Sequence, residues 1–236
     1  MGFAVDGRDS VERDAAGIGA LADPVRRQLY QFVCTQPGPV SREQAADAVG
    51  IPQHQAKFHL DRLTAAGLLE SVYARLPGRS GPGAGRTSKL YRRARRDIAV
   101  SLPQREYELA GRLMAQAIAQ SAITGEPVVE VLNRVANDYG QMIGATKRPP
   151  ADSAAALEMT MSVLRKYGYE PRVGDGEVKL ANCPFHALAR EQTELACHMN
   201  HGLITGLAEA LAPHGPDVKL YPGPDRCCVV LTRGGN

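Results

Sequence analysis

The sequence predicts a mostly helical α+β protein whose C-terminal part is a small α+β domain with an antiparallel sheet. Three observations lead to this class. Capped helical patterns fill the first third of the chain, amphipathic helical patterns recur between residues 102 and 167, and short strand-like pieces follow Tyr169. The expected domains are residues 1–98, a central helical linker or dimerisation region at 99–150, and a C-terminal domain at 151–236.

The composition is that of a folded, soluble protein. Of the 236 residues, 44% are hydrophobic and 22% are charged, which excludes a disordered or collagen-like chain. No apolar run reaches the roughly 18 residues of a membrane helix, and the N-terminus lacks the pattern of a signal peptide. We therefore expect a cytoplasmic protein. No nucleophile elbow, metalloprotease pair or acid–base constellation occurs, so we do not expect an enzyme.

Helix-start signals mark three N-terminal helices. Asp23 and Pro24 suit an N-cap and the first helical position, and the segment from Ser41 to Gln44 has the form of a capping box. A third helix begins at Pro52. The order helix, helix, short turn, helix is that of a helix-turn-helix motif.

Two predicted strands and a Gly-rich loop follow the third helix. Residues 68–73 and 88–91 have strand-like composition, and the segment LPGRSGPGAGR between them is too rich in Gly and Pro for helix or strand. Within the third helix, Ala56, Leu60 and Leu63 form one apolar stripe at helical spacing. The N-terminal part is therefore predicted to be a winged helix-turn-helix domain.

The side of the third helix opposite this stripe would enter the major groove of DNA, and the wing would contact the backbone or the minor groove. The residues expected to contact DNA are Gln53, His54, Gln55, Lys57, Phe58 and Arg62 on the helix and Arg79 and Arg86 on the wing. The stretch from His59 to Leu69 resembles the passage from recognition helix to wing in regulators of the ArsR and DeoR types. That resemblance implies binding to double-stranded operator DNA.

Positive charge is concentrated in the N-terminal part. Lys and Arg outnumber Asp and Glu by 15 to 10 over residues 1–98 and fall behind by 13 to 15 afterwards. Between Arg75 and Arg96 there are eight basic residues and no acidic one, a run suited to phosphate contacts. A nucleotide-binding loop is the weaker interpretation, because the Gly-rich segment lacks both a strand–loop–helix context and a Gly-Lys-Ser/Thr sequence.

An amphipathic helix is predicted at 102–122, followed by two further helices at about 127–143 and 153–167. The helix at 102–122 is the candidate homodimer interface, because a two-fold protein matches a two-fold operator. Packing within its own domain explains the apolar side of this helix equally well.

Four of the five cysteines lie in the last 54 residues. They are Cys183, Cys197, Cys227 and Cys228, whereas Cys34 is expected to be a core residue of the N-terminal domain. A reducing cytoplasm argues against disulfides, which leaves metal ligands, redox-active groups or buried hydrophobic side chains.

Together, NCPFHALA, ELACHMNHGLITGL and the final CC resemble the C-terminal domain of the SufR family, the iron–sulfur repressors of cluster-assembly operons. With the winged domain in front, this resemblance covers nearly the whole chain. It implies a homodimeric repressor that holds an iron–sulfur cluster, of the 4Fe–4S type, through Cys183, Cys197 and one of the adjacent pair Cys227 and Cys228.

A shared cluster constrains the path of the chain. A straight helix from Pro184 to Met199 would hold Cys183 and Cys197 about 20 Å apart, too far for one cluster. The chain should therefore turn back between residues 187 and 193, with Cys197 near the start of a second helix.

The adjacent cysteines raise the question of the last iron site. If Cys227 and Cys228 lie in a regular strand, they point to opposite faces, and we favour Cys227 as the ligand. The remaining iron site would fall to His186, His198, a carboxylate, water or a small thiol. Zinc is the competing cofactor, although neither a C-x-x-C sequence nor a close His pair is present.

The leading hypothesis is a cluster-sensing transcriptional repressor of iron–sulfur assembly genes. The alternative within regulators is an ArsR-like winged-helix factor that senses zinc or a small organic ligand. From a different class, we consider a redox enzyme domain fused to a DNA-binding module.

Overall fold

The computed structural model describes residues 7–74, 87–222 and 226–234, with side chains from residue 14 onward. The chain divides into two compact units, Met1–Val100 and Ser101–Asn236. Residues 101–145, which the sequence suggested as part of a separate linker or dimerisation region, contribute helices to the core of the second unit. The predicted class, mostly helical with antiparallel sheets, is confirmed.

The first unit combines helices with a small antiparallel sheet in the order β1-β3-β2. Its elements in chain order are α1 (Gly7–Ala20), α2 (Pro24–Thr35), β1 (Val40–Ser41), α3 (Arg42–Val49), α4 (Gln53–Ala65), β2 (Leu69–Ala74) and β3 (Ser88–Arg93). This is the predicted winged helix-turn-helix arrangement, in which α3 and α4 form the motif and β2 and β3 flank the wing.

Helix boundaries in the first unit follow the predicted caps. The Asp23 carboxylate accepts a hydrogen bond from the Arg26 amide at 2.9 Å, and Ser41 and Gln44 make both bonds of the capping box, at 2.8 and 3.2 Å. Gly50 ends α3 in the left-handed region, with φ of 72°. Local side-chain chemistry therefore sets where these helices begin and end.

The apolar stripe of α4 forms the centre of this unit's core. Ala56, Leu60 and Leu63 are fully buried, together with Leu29 of α2. Cys34 is only half-buried, so it lies at the margin of this core.

The second unit packs helices against a four-stranded antiparallel sheet in the order β4-β5-β7-β6. Its elements are α5 (Tyr107–Thr124), α6 (Val128–Ala145), α7 (Ser153–Lys166), β4 (Pro171–Gly174), β5 (Glu177–Leu180), α8 (His186–Glu191), α9 (Thr193–Glu209), β6 (Asp217–Leu220) and β7 (Val229–Thr232). The helix expected from residue 102 begins only at Tyr107, because the preceding residues bond to another part of the unit.

Helices α6 and α9 cross with their backbones in direct contact. Glycines at both helices make this possible: a Cβ on Gly140 would overlap the Leu203 carbonyl oxygen, and a Cβ on Gly206 would overlap that of Asn137. Since α9 carries Cys197, this crossing fixes the helix that presents one of the candidate metal ligands.

Candidate DNA-binding face and candidate metal centre

Helix α4 turns a polar face to solvent. Buried Ala56, Leu60 and Leu63 occupy the opposite side, so the helix is oriented by its apolar stripe. The predicted contact residues that the structure places on this exposed face are Gln53, His54, Gln55, Lys57, Phe58 and Arg62. The Arg62 guanidinium carbon lies 5.7 Å from the centre of the Phe58 ring, so the two side chains form one exposed cation–aromatic pair.

Asp61 connects α4 to the wing strand β3. Its carboxylate accepts hydrogen bonds from Lys89 Nζ at 2.6 Å and from the Tyr91 hydroxyl at 2.9 Å. Burial favours the protonated acid, but these two bonds outweigh it and hold the pKa of Asp61 below its ordinary value. Asp61 therefore helps to position α4 against the strand.

The basic run that precedes and forms β3 is partly neutralised. Of its five members that the structure describes, Lys89 pairs with Asp61, Arg92 with Glu70 at 2.6 Å, and Arg96 with Asp14. These acidic partners lie elsewhere in the chain, so the sequence of the run itself shows only positive charges. Arg79 and Arg86, predicted on the wing, lie outside the described residues.

Four cysteines meet inside the second unit. Cys183 comes from the loop before α8, Cys197 from the first part of α9, and Cys227 and Cys228 from the segment before β7. All four are buried, at 1–9% exposure, and their side chains contact one another in a row from Cys183 through Cys227 and Cys228 to Cys197. We call this arrangement the cysteine row.

Contacts between neighbouring thiols shift the pKa values in the cysteine row. The contact with Cys227 and burial raise the pKa of Cys183 well above its ordinary value. The contact with Cys183 lowers the pKa of Cys227, but the contact with Cys228 and burial raise it more, to about 12. The contact with Cys197 and burial raise the pKa of Cys228 to about 12, while the contact with Cys228 lowers the pKa of Cys197. Cys197 is therefore the thiol of the row whose pKa lies below its ordinary value.

A buried polar pair touches the middle of this row. Asn200 Nδ2 donates to Cys227 Sγ at 3.0 Å, and the Tyr169 hydroxyl donates to Asn200 Oδ1. Tyr169 and Asn200 are 2% and 1% exposed, so neither has water as an alternative partner. Sequence reasoning missed both residues, because an isolated Asn or Tyr gives no local signal of such a contact.

The structure corrects one geometric expectation about the cysteines and confirms another. Cys227 and Cys228 precede β7 in irregular backbone, so the expectation that they face opposite sides of a strand is wrong, and both thiols join the row. The predicted turn between Cys183 and Cys197 is confirmed, because α8 and α9 are separate helices that meet at Gln192.

The residues around the cysteine row differ in their access to it. His186 and His198, named as substitute ligands, are exposed. Within residues 7–74, 87–222 and 226–234, no three His, Cys, Asp or Glu side chains form a group that could hold one metal ion as they stand. Four thiols are nevertheless a soft donor set, of the kind that iron–sulfur clusters and zinc prefer. The chemical type of these donors suits either group.

Comparison with known proteins concerns mainly the first unit. Residues 21–72, which include α2, α3 and α4, match the helix-turn-helix domain family. The first unit is therefore a winged helix-turn-helix domain, a fold that places its recognition helix in the major groove of DNA. No curated protein matches the chain. In the part of the chain that the structure describes, no helix has the length and apolarity needed to cross a membrane.

Among solved structures, the chain has a low-identity likeness to a DNA-binding domain. The likeness is to the solution NMR structure of the homodimeric winged helix-turn-helix DNA-binding domain of a possible ArsR-family transcriptional regulator from Mycobacterium bovis. The likeness extends over 54% of this chain and 96% of that one, at 21% sequence identity and a TM-score of 0.29. So distant a likeness says nothing further about function.

Proposed function

We propose that the protein is a homodimeric transcriptional repressor that senses iron–sulfur cluster status and controls cluster-assembly genes. The observation that carries this proposal is the presence, in one chain, of a helix-turn-helix domain and a buried row of four cysteines. The first feature supports operator binding, and the second supports a metal-dependent signal.

Helix α4 supplies the contacts to DNA in this proposal. Lys57 and Arg62 are exposed cations that attract phosphates, and Gln53 and Gln55 offer amide donors and acceptors to base edges. Asp61 holds α4 against β3 through Lys89 and Tyr91, which fixes the angle at which the helix is presented.

The cysteine row supplies the metal ligands. Cys183, Cys197, Cys227 and Cys228 would hold the cluster as thiolates, and their burial keeps bulk water from it. A bound iron–sulfur cluster is a group that oxidants and iron supply alter. Asn200 donates its amide N–H to Cys227, a contact that stabilises a thiolate at this position.

The resemblance to the SufR family implies that the cluster-bound form binds the operator and represses transcription. Cys183, Cys197 and the pair Cys227 and Cys228 lie on three chain segments, so holding a cluster would require an arrangement of these segments that differs from the one in which the thiols contact one another. That difference is the signal that alters operator binding.

A zinc-sensing regulator is the second candidate, because four thiolates also form a common zinc site. Anaerobic purification of the full chain separates the two. We expect a coloured protein with iron and acid-labile sulfide in comparable amounts, whereas a colourless protein with stoichiometric zinc would establish the alternative.

Single cysteine variants test the ligands. Cys183→Ser, Cys197→Ser, Cys227→Ser and Cys228→Ser should each reduce iron and sulfide content, because all four thiols join the row. Cys34→Ser is the matched control and should keep the full content, since Cys34 lies in the other unit. Full cluster content in Cys183→Ser or Cys197→Ser would contradict the ligand assignment.

Variants of α4 test the DNA-binding face. Lys57→Ala and Arg62→Ala should weaken operator binding and leave the melting temperature unchanged, because both side chains are exposed. Leu60→Ala should instead destabilise the domain by about 2–5 kcal/mol through a core cavity. Operator binding equal to that of the parent in both exposed variants would show that another face binds DNA.

A further inference from the structure

We propose that Arg105 transmits the state of the cysteine row to the segment that leads out of the DNA-binding unit, an inference that rests on the function proposed above. The Arg105 guanidinium holds together two parts of the second unit. One is the connector, residues 101–106, and the other is the Cys183 loop, residues 182–184.

The contacts between the connector and the Cys183 loop are numerous for so short a segment. Arg105 Nη1 donates to Asn182 Oδ1 and to the Cys183 carbonyl oxygen, both at 2.7 Å. The Glu106 amide donates to the Pro184 carbonyl at 3.2 Å, and Asn182 Nδ2 donates to the Gln104 carbonyl at 3.4 Å. All three residues of the loop thus bond to the connector.

The connector occupies a special place in the chain. It begins at Ser101, directly after Val100, which is the last residue of the DNA-binding unit. It ends where α5 begins, at Tyr107. A displacement of the connector therefore acts at the covalent junction of the two units.

The loop at the other end of these bonds carries the first thiol of the cysteine row. The Cys183 and Cys227 side chains are in contact. Within the described residues, no three of these side chains are arranged as a group that could hold a metal ion. A cluster held by the four thiols would therefore require them to separate. The Cys183 loop must therefore adopt different positions in the cluster-bound and cluster-free protein.

Arg105 couples the position of the Cys183 loop to the position of the connector. Its planar guanidinium donates to the backbone of Cys183 itself and to the neighbouring side chain, so the connector follows the loop rather than the thiol alone. Arg105 is in this sense a positioning residue. It is the route by which occupancy of the cysteine row reaches the DNA-binding unit.

Hydrogen exchange on the full-length parent protein tests the first half of the proposal. The cluster-bound form is prepared anaerobically by reconstitution with iron and sulfide. Its amide exchange is compared with that of the same protein after the cluster has been removed. We expect the Glu106 amide, which bonds to Pro184, to exchange at different rates in the two forms. Equal exchange at residues 104–106 in the two forms would overturn the proposal without any variant.

Operator binding by matched variants tests the second half. The probe is a DNA duplex selected from a random pool by the full-length, cluster-loaded protein. In the parent, the affinities of the cluster-bound and cluster-free forms should differ by a factor typical of allosteric coupling, roughly 5- to 150-fold. In Arg105→Gln this ratio should fall to near one, with iron content retained.

Two further variants make the result specific. Arg165→Gln removes an exposed arginine of α7 that pairs with Glu158 at 3.1 Å, and it should behave as the parent. Arg105→Lys keeps the positive charge near Cys183 but cannot donate to both partners in the same way, so it should also reduce the ratio.

The possible failures are distinguishable. A parent protein that binds no cluster, or whose operator affinity ignores the cluster, overturns the proposed function and the transmission with it. A responsive parent together with an equally responsive, cluster-loaded Arg105→Gln overturns the transmission through Arg105 alone.

Discussion

Asp61 is the residue that joins the candidate recognition helix to the wing. Its carboxylate accepts from Lys89 and Tyr91, and its pKa lies below the ordinary value. A carboxylate whose pKa is lowered on folding contributes stability that is fully present above its unfolded pKa, about 3.9, and is lost as the pH falls through the lower folded pKa. Part of the stability that this unit loses in acid should therefore come from Asp61.

Asp61→Asn should consequently be less stable than the parent at neutral pH, and the difference should shrink as the pH falls below about 3.9. Urea unfolding of both proteins between neutral and acid pH measures it. Asp47→Asn, an exposed acid on α3, is the control. A stability difference that does not change with pH would show that the charge of Asp61 is not responsible.

The buried hydrogen bond between Tyr169 and Asn200 should contribute to the stability of the second unit. Removing the amide in Asn200→Ala leaves the buried Tyr169 hydroxyl without its acceptor, which should cost about 1–3 kcal/mol of unfolding free energy. In Tyr169→Phe/Asn200→Ala both partners are absent, so the loss should be smaller than the sum of the single losses. Chemical denaturation of the four proteins completes the cycle, and additive losses would exclude the coupling.

Sequence reasoning identified residues whose signal is local and missed residues whose partners are far apart in the chain. The candidate contacts on α4 and the four cysteines could be named because residue type and spacing are visible locally. The partners Asp61–Lys89, Asn200–Cys227 and Arg105–Cys183 are 27 to 78 positions apart. No periodic pattern indicates which distant polar groups will meet, so these pairs could not be predicted.

The crossing of α6 and α9 leaves no room for added side-chain atoms at its glycines. Gly140 and Gly206 face backbone carbonyl oxygens of the opposite helix, which cannot move aside as a side chain can. Gly202 and Gly144 line the same crossing, with the nearest atoms 2.8 and 2.5 Å from an added Cβ. The distance between the helix axes is therefore set by the absence of side chains.

Gly140→Ala and Gly206→Ala should each destabilise the second unit by about 1–3 kcal/mol, because the helices must separate. Gly111→Ala on α5 is the matched control: an added Cβ there meets nothing within 4 Å. This control should gain about 0.5–1 kcal/mol from a less flexible unfolded chain. Thermal unfolding compares the three, and a stabilised Gly206→Ala would contradict the close crossing.

Elements were predictable where their signals are local. The caps at Asp23 and Ser41 predicted the starts of α2 and α3, and the short strand-like pieces after Tyr169 predicted an antiparallel sheet in the second unit. The two-residue strand β1 exists only because Val40 pairs with Tyr91, far along the chain. The late start of α5 likewise depends on bonds from the connector to the Cys183 loop, which its own sequence does not indicate.

At the scale of the whole molecule, the proposed homodimer needs an apolar surface that is free in the single chain. On α5, Ile118 and Ile123 are 60% and 85% exposed. Ile118→Lys/Ile123→Lys should therefore shift the sedimentation coefficient from dimer to monomer, because each lysine would bury a charge in the interface. Val173→Lys, at an equally exposed site on β4, should leave the dimer intact. A dimeric Ile118→Lys/Ile123→Lys would place the interface elsewhere.

The ion pairs of the basic run have a consequence for the thermodynamics of DNA binding. Each phosphate that a protein cation neutralises releases condensed counterions and adds about 0.9 to the slope of log K against log salt. Lys89, Arg92 and Arg96 already hold carboxylates of their own chain, so contact with a phosphate would require each of them to exchange one anion for another. Such an exchange leaves the carboxylate in need of a new counterion and cancels the entropy gained at the phosphate. Operator affinity should thus depend on ionic strength as it would for a domain with three fewer positive charges than its sequence contains.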